Sequence, residues 1–176
     1  DVCGAPGGKS INAALKMSEQ GDCGRVIARD LSDYKVALID ENIKRLNITN
    51  IQTQVYDALD CDESLINKAD IVIADLPCSG LGIIGRKPDI KYNASPEKLQ
   101  SLVDLQRDIL KVVSRYVKSG GVLMYSTCTI NRAENEDNAD WICKESGFTK
   151  DGEYHQLLPA NNSGMDGFFV ARLIKS

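Results

Sequence analysis

The sequence predicts an α/β fold, a doubly wound and mostly parallel sheet with helices on both faces, and three observations carry the prediction. Short apolar runs alternate along the chain with stretches of helical apolar spacing, the pattern that strands joined by crossover helices produce. A glycine-rich stretch, "DVCGAPGGKS", stands between the end of one run and the first helix. Residues able to do chemistry then recur at the carboxyl ends of the strands, where open sheets of this kind bind their ligands.

The elements follow in order. The chain opens without methionine on "DVCG", which reads as the last residues of a strand; most of that strand, with whatever precedes it, is expected upstream. "SINAALKMSEQ" has helical apolar spacing and closes at the turn from Gly21 to Gly24. "RVIARD" is a short strand ending at Asp30, and "DYKVALIDENIKRLN" a second amphipathic helix. "QTQVYDA" reads as a strand that delivers Asp57, and "DIVIADLP" as a buried strand, an apolar run closed by proline. A long loop passes through Pro88 to about Ser95. "SPEKLQSLVDLQRDILKVVSRYVKSGG" begins with a capping serine, proline at the first helical position and then glutamate, and is predicted helical up to Gly120 and Gly121. "GVLMYST" is a strand, "AENEDNADWICKES" a helix and "GFFVARLI" the last strand. No repeat, low-complexity tract or linker interrupts this order, so residues 1–176 read as one domain, truncated at its N-terminus.

Composition narrows the classes. A chain of 176 residues can bury a real core, and no apolar run approaches the roughly 20 residues needed to span a bilayer. There is no basic-then-apolar leader. The six cysteines (Cys3, Cys23, Cys61, Cys78, Cys128, Cys143) lie far apart without a C-x-x-C pair, and His155 is the single histidine. This argues against a disulfide framework and a zinc or other metal site, and for reduced thiols in a cytoplasm. The net charge of -4, taken alone, speaks against a nucleic-acid partner, which ordinarily meets a basic face.

Each motif has more than one reading. The glycines of "CGAPGGKS" allow a ligand close to the backbone. The rival is the phosphate-cradling P-loop, but its first glycine would fall on Cys3, and Pro6 removes an amide that a cradle would use. Asp30 lies about twenty residues beyond the turn, where nucleotide folds place a carboxylate for ribose hydroxyls; it also fits a helix cap. Asp57 is more readily explained by turn chemistry than by ligand contact. Cys23, Cys61 and Cys143 read as inert buried thiols. Cys78 and Cys128 differ, because both stand at strand ends, in "DLPCSG" and "STCTI". A redox pair would require the two in contact.

Taken together, "DVCGAPGGKS", "ADLPCSGLGIIGRKPDIKY", "YSTCTINRAENED" and "DGFFVARL", in this order, resemble the S-adenosylmethionine-dependent RNA cytosine-5 methyltransferases of the Sun (Nol/Nop/Sun) family, most of all its bacterial members that act on 16S rRNA. The resemblance covers essentially the whole chain. It implies a Rossmann-like methyltransferase sheet with an antiparallel last strand, S-adenosyl-L-methionine as cofactor and RNA, of the ribosomal kind, as substrate. It also implies that Cys3, Gly4, Ala5, Pro6, Gly7, Gly8, Lys9, Asp30, Asp57 and Asp75 line the cofactor site, that Cys128 is the nucleophile and that Cys78 assists product release. Gly4 stands where the family usually carries alanine. The family's RNA-recognition domain would lie in the missing upstream part.

The implied chemistry explains the residue types. Carbon 5 of cytosine is a poor nucleophile until a thiolate adds to carbon 6, a task for Cys128 with a lowered pKa. Asp75 can stabilise charge at the ring nitrogen, with Lys9 as its cationic partner. Cys78, directly or through water, can remove the proton from carbon 5. The target base must be unpaired or extruded. In "GIIGRKPDIKYN" the cations Arg86, Lys87 and Lys91 outnumber Asp89, which suits phosphate contact; a solvated loop is the plain alternative. Tyr92 reads as a packed or base-stacking ring, and Trp141 as core. The rivals from other classes are a P-loop NTPase, with Lys9 on phosphates and Asp75 on magnesium, and a non-catalytic RNA-binding module on the same fold.

Overall fold

A computed structural model describes residues 1–159 and 164–176. The chain divides into two compact units, Asp1–Cys61 and Asp62–Ser176.

In the first unit, β1 (Val26–Asp30) and β2 (Ile51–Val55) pair in parallel, Val26 opposite Ile51 and Asp30 opposite Val55. Residues 1–4 run along the other edge of β1: the Asp1 amino group donates to the Ile27 carbonyl at 3.0 Å, the Arg29 amide to Asp1 and the Gly4 amide to Arg29, both at 2.8 Å. The opening "DVCG" is thus strand-like, as predicted. Helices α1 (Gly8–Glu19) and α2 (Asp33–Leu46) bury Ile11, Ala14, Val36 and Ile39. Ser32, not Asp30, caps α2, accepting from the Lys35 amide at 3.4 Å. Strand β2 ends at Val55, ahead of Asp57, which lies in the following turn.

The second unit holds a five-stranded sheet in the order β3 (Ala69–Asp75), β4 (Val117–Thr127), β7 (Phe168–Lys175), β5 (Phe148–Lys150), with β6 (His155–Leu157) also paired to β7. β3 and β4 are parallel, and β7 is antiparallel to β4, β5 and β6. The core alternates along the strands as a pleat requires: Val72 and Ala74, Leu123 and Tyr125, Phe169, Ala171 and Leu173 are buried. Helix α4 (Pro96–Val113) starts at its serine cap, where Ser95 accepts from the Lys98 amide at 3.3 Å, and packs on α5 (Glu136–Ser146). A short helix, α3 (Ile90–Asn93), and a 3-10 turn at Leu81–Ile83 lie in the predicted long loop.

A further boundary differs. The helix predicted up to Gly120 ends at Val113, and Val117–Gly121 is strand. The two glycines lie in a register shift of β4 opposite Asp70, not at a helix stop: Gly120 has φ +74°, and a Cβ on Gly121 would fall 3.0 Å from the Asp70 carbonyl. Strands β5 and β6, three residues each, carry too few side chains for the alternation to register. Among the described residues no helix is long and apolar enough to cross a membrane, and no three His, Cys, Asp or Glu side chains gather as a metal site.

Candidate active site

Strands β3 and β4 end side by side, Asp75 opposite Ser126, with the Leu76 amide on the Ser126 carbonyl at 3.1 Å. The chains then turn, and the turns bring Cys78 Sγ to 3.2 Å from Cys128 Sγ. Both are half-buried free thiols. Asp75 accepts from Ser126 Oγ at 2.9 Å. The hydrogen bond from Cys78 pulls the Cys128 thiol down from 9.0 to about 7; Lys87 adds to this, while burial and the Asp75 carboxylate oppose it. The same contact, with burial and the Cys128 charge, drives Cys78 strongly upward. Just above neutrality the pair therefore carries one proton, on Cys78.

Behind the thiols lies a buried polar network that the sequence reading missed. Glu134, fully buried, receives the Ser79 amide (2.8 Å), Ser79 Oγ (2.6 Å), Gln106 Nε2 (3.0 Å) and Asn131 Nδ2 (2.9 Å). Gln106 also donates to the Pro77 carbonyl at 2.8 Å and accepts from Asn138 at 2.8 Å, and the Tyr125 hydroxyl donates to the Glu134 carbonyl. On the other side Ser79 Oγ meets Thr129 Oγ1 at 2.7 Å, and Asn135 Nδ2 holds the Thr129 carbonyl at 3.0 Å. The residues flanking both cysteines are thus tied to one carboxylate. A second clamp is backbone: the Gly82 amide donates to the Cys128 carbonyl at 3.1 Å, and Gly82 accepts from the Gly167 amide at 2.7 Å. A Cβ at Gly82 would sit 2.5 Å from the Gly167 oxygen and 2.7 Å from the Cys128 oxygen, so no side chain fits. A signal was present: Gln106 interrupts the apolar stripe of Val103, Ile109, Leu110 and Val113, and a polar residue at a core position has a partner.

A cavity of about 330 Å³ opens beside Cys78 and Ser79, walled by Ile90, Ala94, Leu99 and Leu102, with Lys98 at its rim. Of the loop cations, Lys87 is exposed and acts electrostatically on Cys128, Arg86 pairs with Asp166 at 3.2 Å, and Lys91 lies 4.8 Å over the ring of Tyr92. Tyr92 is 81% exposed and so is not packed. Trp141 is not core either: it is half-buried, with Arg107 at 5.2 Å and Lys111 at 5.7 Å from its ring.

In the first unit the glycine turn is built on Asp30, which is 3% exposed. One carboxylate oxygen accepts from the Ala5 amide at 3.0 Å; the other accepts from the Leu31 amide at 2.8 Å and faces Lys35 at 3.1 Å. Gly7 takes φ +102°, and its amide bonds to the Gly4 carbonyl at 2.6 Å. The amides of Gly4, Ala5 and Gly7 are all engaged within the protein, which is not how a phosphate cradle is arranged. A Cβ at Gly8 would meet nothing within 4 Å, so the backbone is open to a ligand there; one at Gly4 would come 3.3 Å from Asp1, a close but small intrusion. Asp57 accepts from the Leu59 amide at 2.9 Å, a turn role. Cys3 is half-buried, and Lys9, at the start of α1, is exposed.

The family model described as 16S rRNA methyltransferase RsmB/F matches residues 1–174. The chain belongs to that family. It is 37% identical over 194 residues to the probable ribosomal RNA small subunit methyltransferase B of Bacillus subtilis, covering 99% of this chain and 42% of that protein. This RsmB/F chain therefore spans well under half the length of such relatives. Among solved structures, that of PH0851 matches with TM-score 0.88 and 31% identity over 98% of this chain and 41% of its own. NSun6 from Pyrococcus horikoshii with SFG matches with TM-score 0.82 and 26% identity, over 99% of this chain and 47% of its own. The fold is the Rossmann-like methyltransferase fold, parallel strands closed by an antiparallel last strand, as the sequence predicts.

Proposed function

We propose that this chain is the catalytic part of an S-adenosylmethionine-dependent enzyme that methylates carbon 5 of a cytosine in RNA, 16S rRNA by family, through a covalent bond from Cys128 to carbon 6. The observation that carries this reading is the thiol pair: 3.2 Å apart, at the ends of adjacent strands, with Cys128 held near pKa 7. An ordinary buried thiol gains nothing from such an arrangement; a nucleophile and a proton acceptor for two steps on one ring do.

The glycine turn fits the cofactor, since Gly8 leaves the backbone open and Asp30 keeps one of a carboxylate's roughly four acceptor positions for a ribose hydroxyl. In the first unit Cys3 to Lys9, Asp30 and Asp57 would hold it, and when bound it supplies an electrophilic methyl group. Cys128, as thiolate, adds to carbon 6. Asp75 meets the charge that this builds at the ring nitrogen. The Cys128 thiolate is consumed in the new bond, which removes the hydrogen bond and the charge that hold the Cys78 pKa up. Cys78 thus becomes easier to ionise, and once its proton has passed to solvent the Cys78 thiolate is the base that takes the proton from carbon 5. Lys87, Lys91 and Arg86 approach the RNA backbone, and the cavity beside Cys78 is of a size to receive an extruded nucleotide.

The test uses the full-length protein with unmodified 16S rRNA and S-adenosylmethionine, reading 5-methylcytosine by nucleoside mass spectrometry beside a calorimetric titration. Binding of S-adenosylmethionine and formation of 5-methylcytosine are expected. Tighter binding of ATP with magnesium would sink the reading; cofactor binding without methyl transfer would leave a non-catalytic module, and a methyl group on another atom would remove the cysteine chemistry.

A further inference from the structure

The two thiols act one after the other in that scheme, and their contact serves it by lowering the Cys128 pKa before RNA arrives. The same contact allows more. The geometry points to a second chemistry at this pair: oxidation by a hydroperoxide to an intramolecular Cys78–Cys128 disulfide, reversible by thiols, which removes both groups from catalysis and protects Cys128 from irreversible oxidation.

A disulfide requires sulfurs about 2.05 Å apart on Cα atoms about 4.4–6.8 Å apart. Here the sulfurs need to approach by only about 1 Å from 3.2 Å. Their carriers leave adjacent strands at the paired positions Asp75 and Ser126, and such strands are spaced about 4.8 Å apart. The Glu134 network and the Gly82 clamp hold both turns in place, so the approach is a rotation of side chains. Reactivity is asymmetric in the useful sense. Cys128 is the thiolate and partly open, whereas burial raises the pKa of Cys143. Cys23 is exposed and is the natural competitor.

The step balances as follows. The Cys128 thiolate attacks one oxygen of the hydroperoxide, the O–O bond breaks, and hydroxide leaves and takes up a proton to become water, giving Cys128 sulfenic acid. The Cys78 sulfur then attacks the Cys128 sulfur; the S–O bond breaks, and the Cys78 proton leaves with the hydroxyl as a second water. Two thiols and one hydrogen peroxide become one disulfide and two waters. A sulfenic acid with no partner goes on to the irreversible sulfinic acid; here the capturing thiol is already in contact.

The inference rests on the thiol geometry, so its test reads masses and is decided whether or not the reduced protein methylates RNA. Full-chain protein, reduced and freed of reductant, is treated with graded hydrogen peroxide, alkylated and mapped by mass spectrometry. A linked Cys78–Cys128 peptide pair is expected, with a loss of about 2 Da from the intact mass and full reversal by dithiothreitol. With Cys78→Ser, Cys128 is expected to label with dimedone on the order of tenfold more than in the wild type and to proceed to sulfinic acid. Equal dimedone labelling of both proteins, or linkage only through Cys23, would overturn the proposal. If Cys78→Ser fails to fold, the wild-type linkage map decides alone. An oxidised protein that methylates at the full reduced rate would also overturn it.

Discussion

Cys128 and Cys78 share a site but not a step, and substitutions should separate them. Cys128→Ala in the full-length enzyme is expected to abolish both methylation and any protein–RNA adduct. Cys78→Ala should let attack and methyl transfer proceed but block collapse of the intermediate, so that an adduct resistant to denaturing electrophoresis accumulates only with S-adenosylmethionine. The reverse pattern would exchange the roles. The pKa shift gives a second expectation. Below about pH 7 Cys128 is a thiol and above it a thiolate, so its alkylation by iodoacetamide should reach half its limiting rate near pH 7. Because the contact with Cys78 is the largest cause of the lowering, Cys78→Ala should move that midpoint up toward the ordinary thiol value of 9.0. An unmoved midpoint would show that another group holds the thiolate. At this scale the sequence was informative where a residue sits in a local motif, as Cys78, Cys128 and Asp75 do. It was silent on Glu134, whose partners Ser79 and Gln106 lie 55 and 28 positions away, and on the fact that Asp30 builds the glycine turn.

Elements succeed or fail by how much periodicity they carry. Helices α2 and α4 announce themselves by caps and apolar spacing, whereas Val117–Gly121 misled because glycines in a register shift look like a helix stop. Two substitutions test how the elements hold the sites. Glu134→Gln replaces one acceptor oxygen by an amide donor facing the four donors that converge on the carboxylate. It should cost about 2 kcal/mol or more of the stability measured by urea unfolding, a fall in Tm of roughly 4–8 °C for a chain of this size, with methylation lost at temperatures where the protein is folded. An undiminished rate in a folded variant would mean that the network does not position the thiols. Asp30→Ala withdraws the acceptor of the Ala5 and Leu31 amides, and is expected to weaken S-adenosylmethionine binding by about 1.5–3 kcal/mol in calorimetry. Unchanged affinity in folded protein would remove Asp30 from the site.

For the whole molecule, charge and chain order set the terms. The net charge is -4, and of the loop cations Arg86 already faces Asp166, so few phosphates can be neutralised. RNA binding by residues 1–176 alone should be weak, with a slope of log K against log salt of about -2 or shallower, since each single-strand phosphate contact contributes about -0.7. A steep slope with tight binding would show a basic face that the described residues do not present. Strand β7 has a different kind of consequence. It lies between β4 and β5, and Gly167, the residue just before it, closes the clamp on the loop that fixes Cys128. Synthesis runs from the N-terminus at about 5–20 residues per second, so Cys128 leaves the ribosome several seconds ahead of the segment that locks it. During translation the nucleophile is present without this clamp, and the Gly82–Gly167 bond cannot form until the β7 segment has emerged.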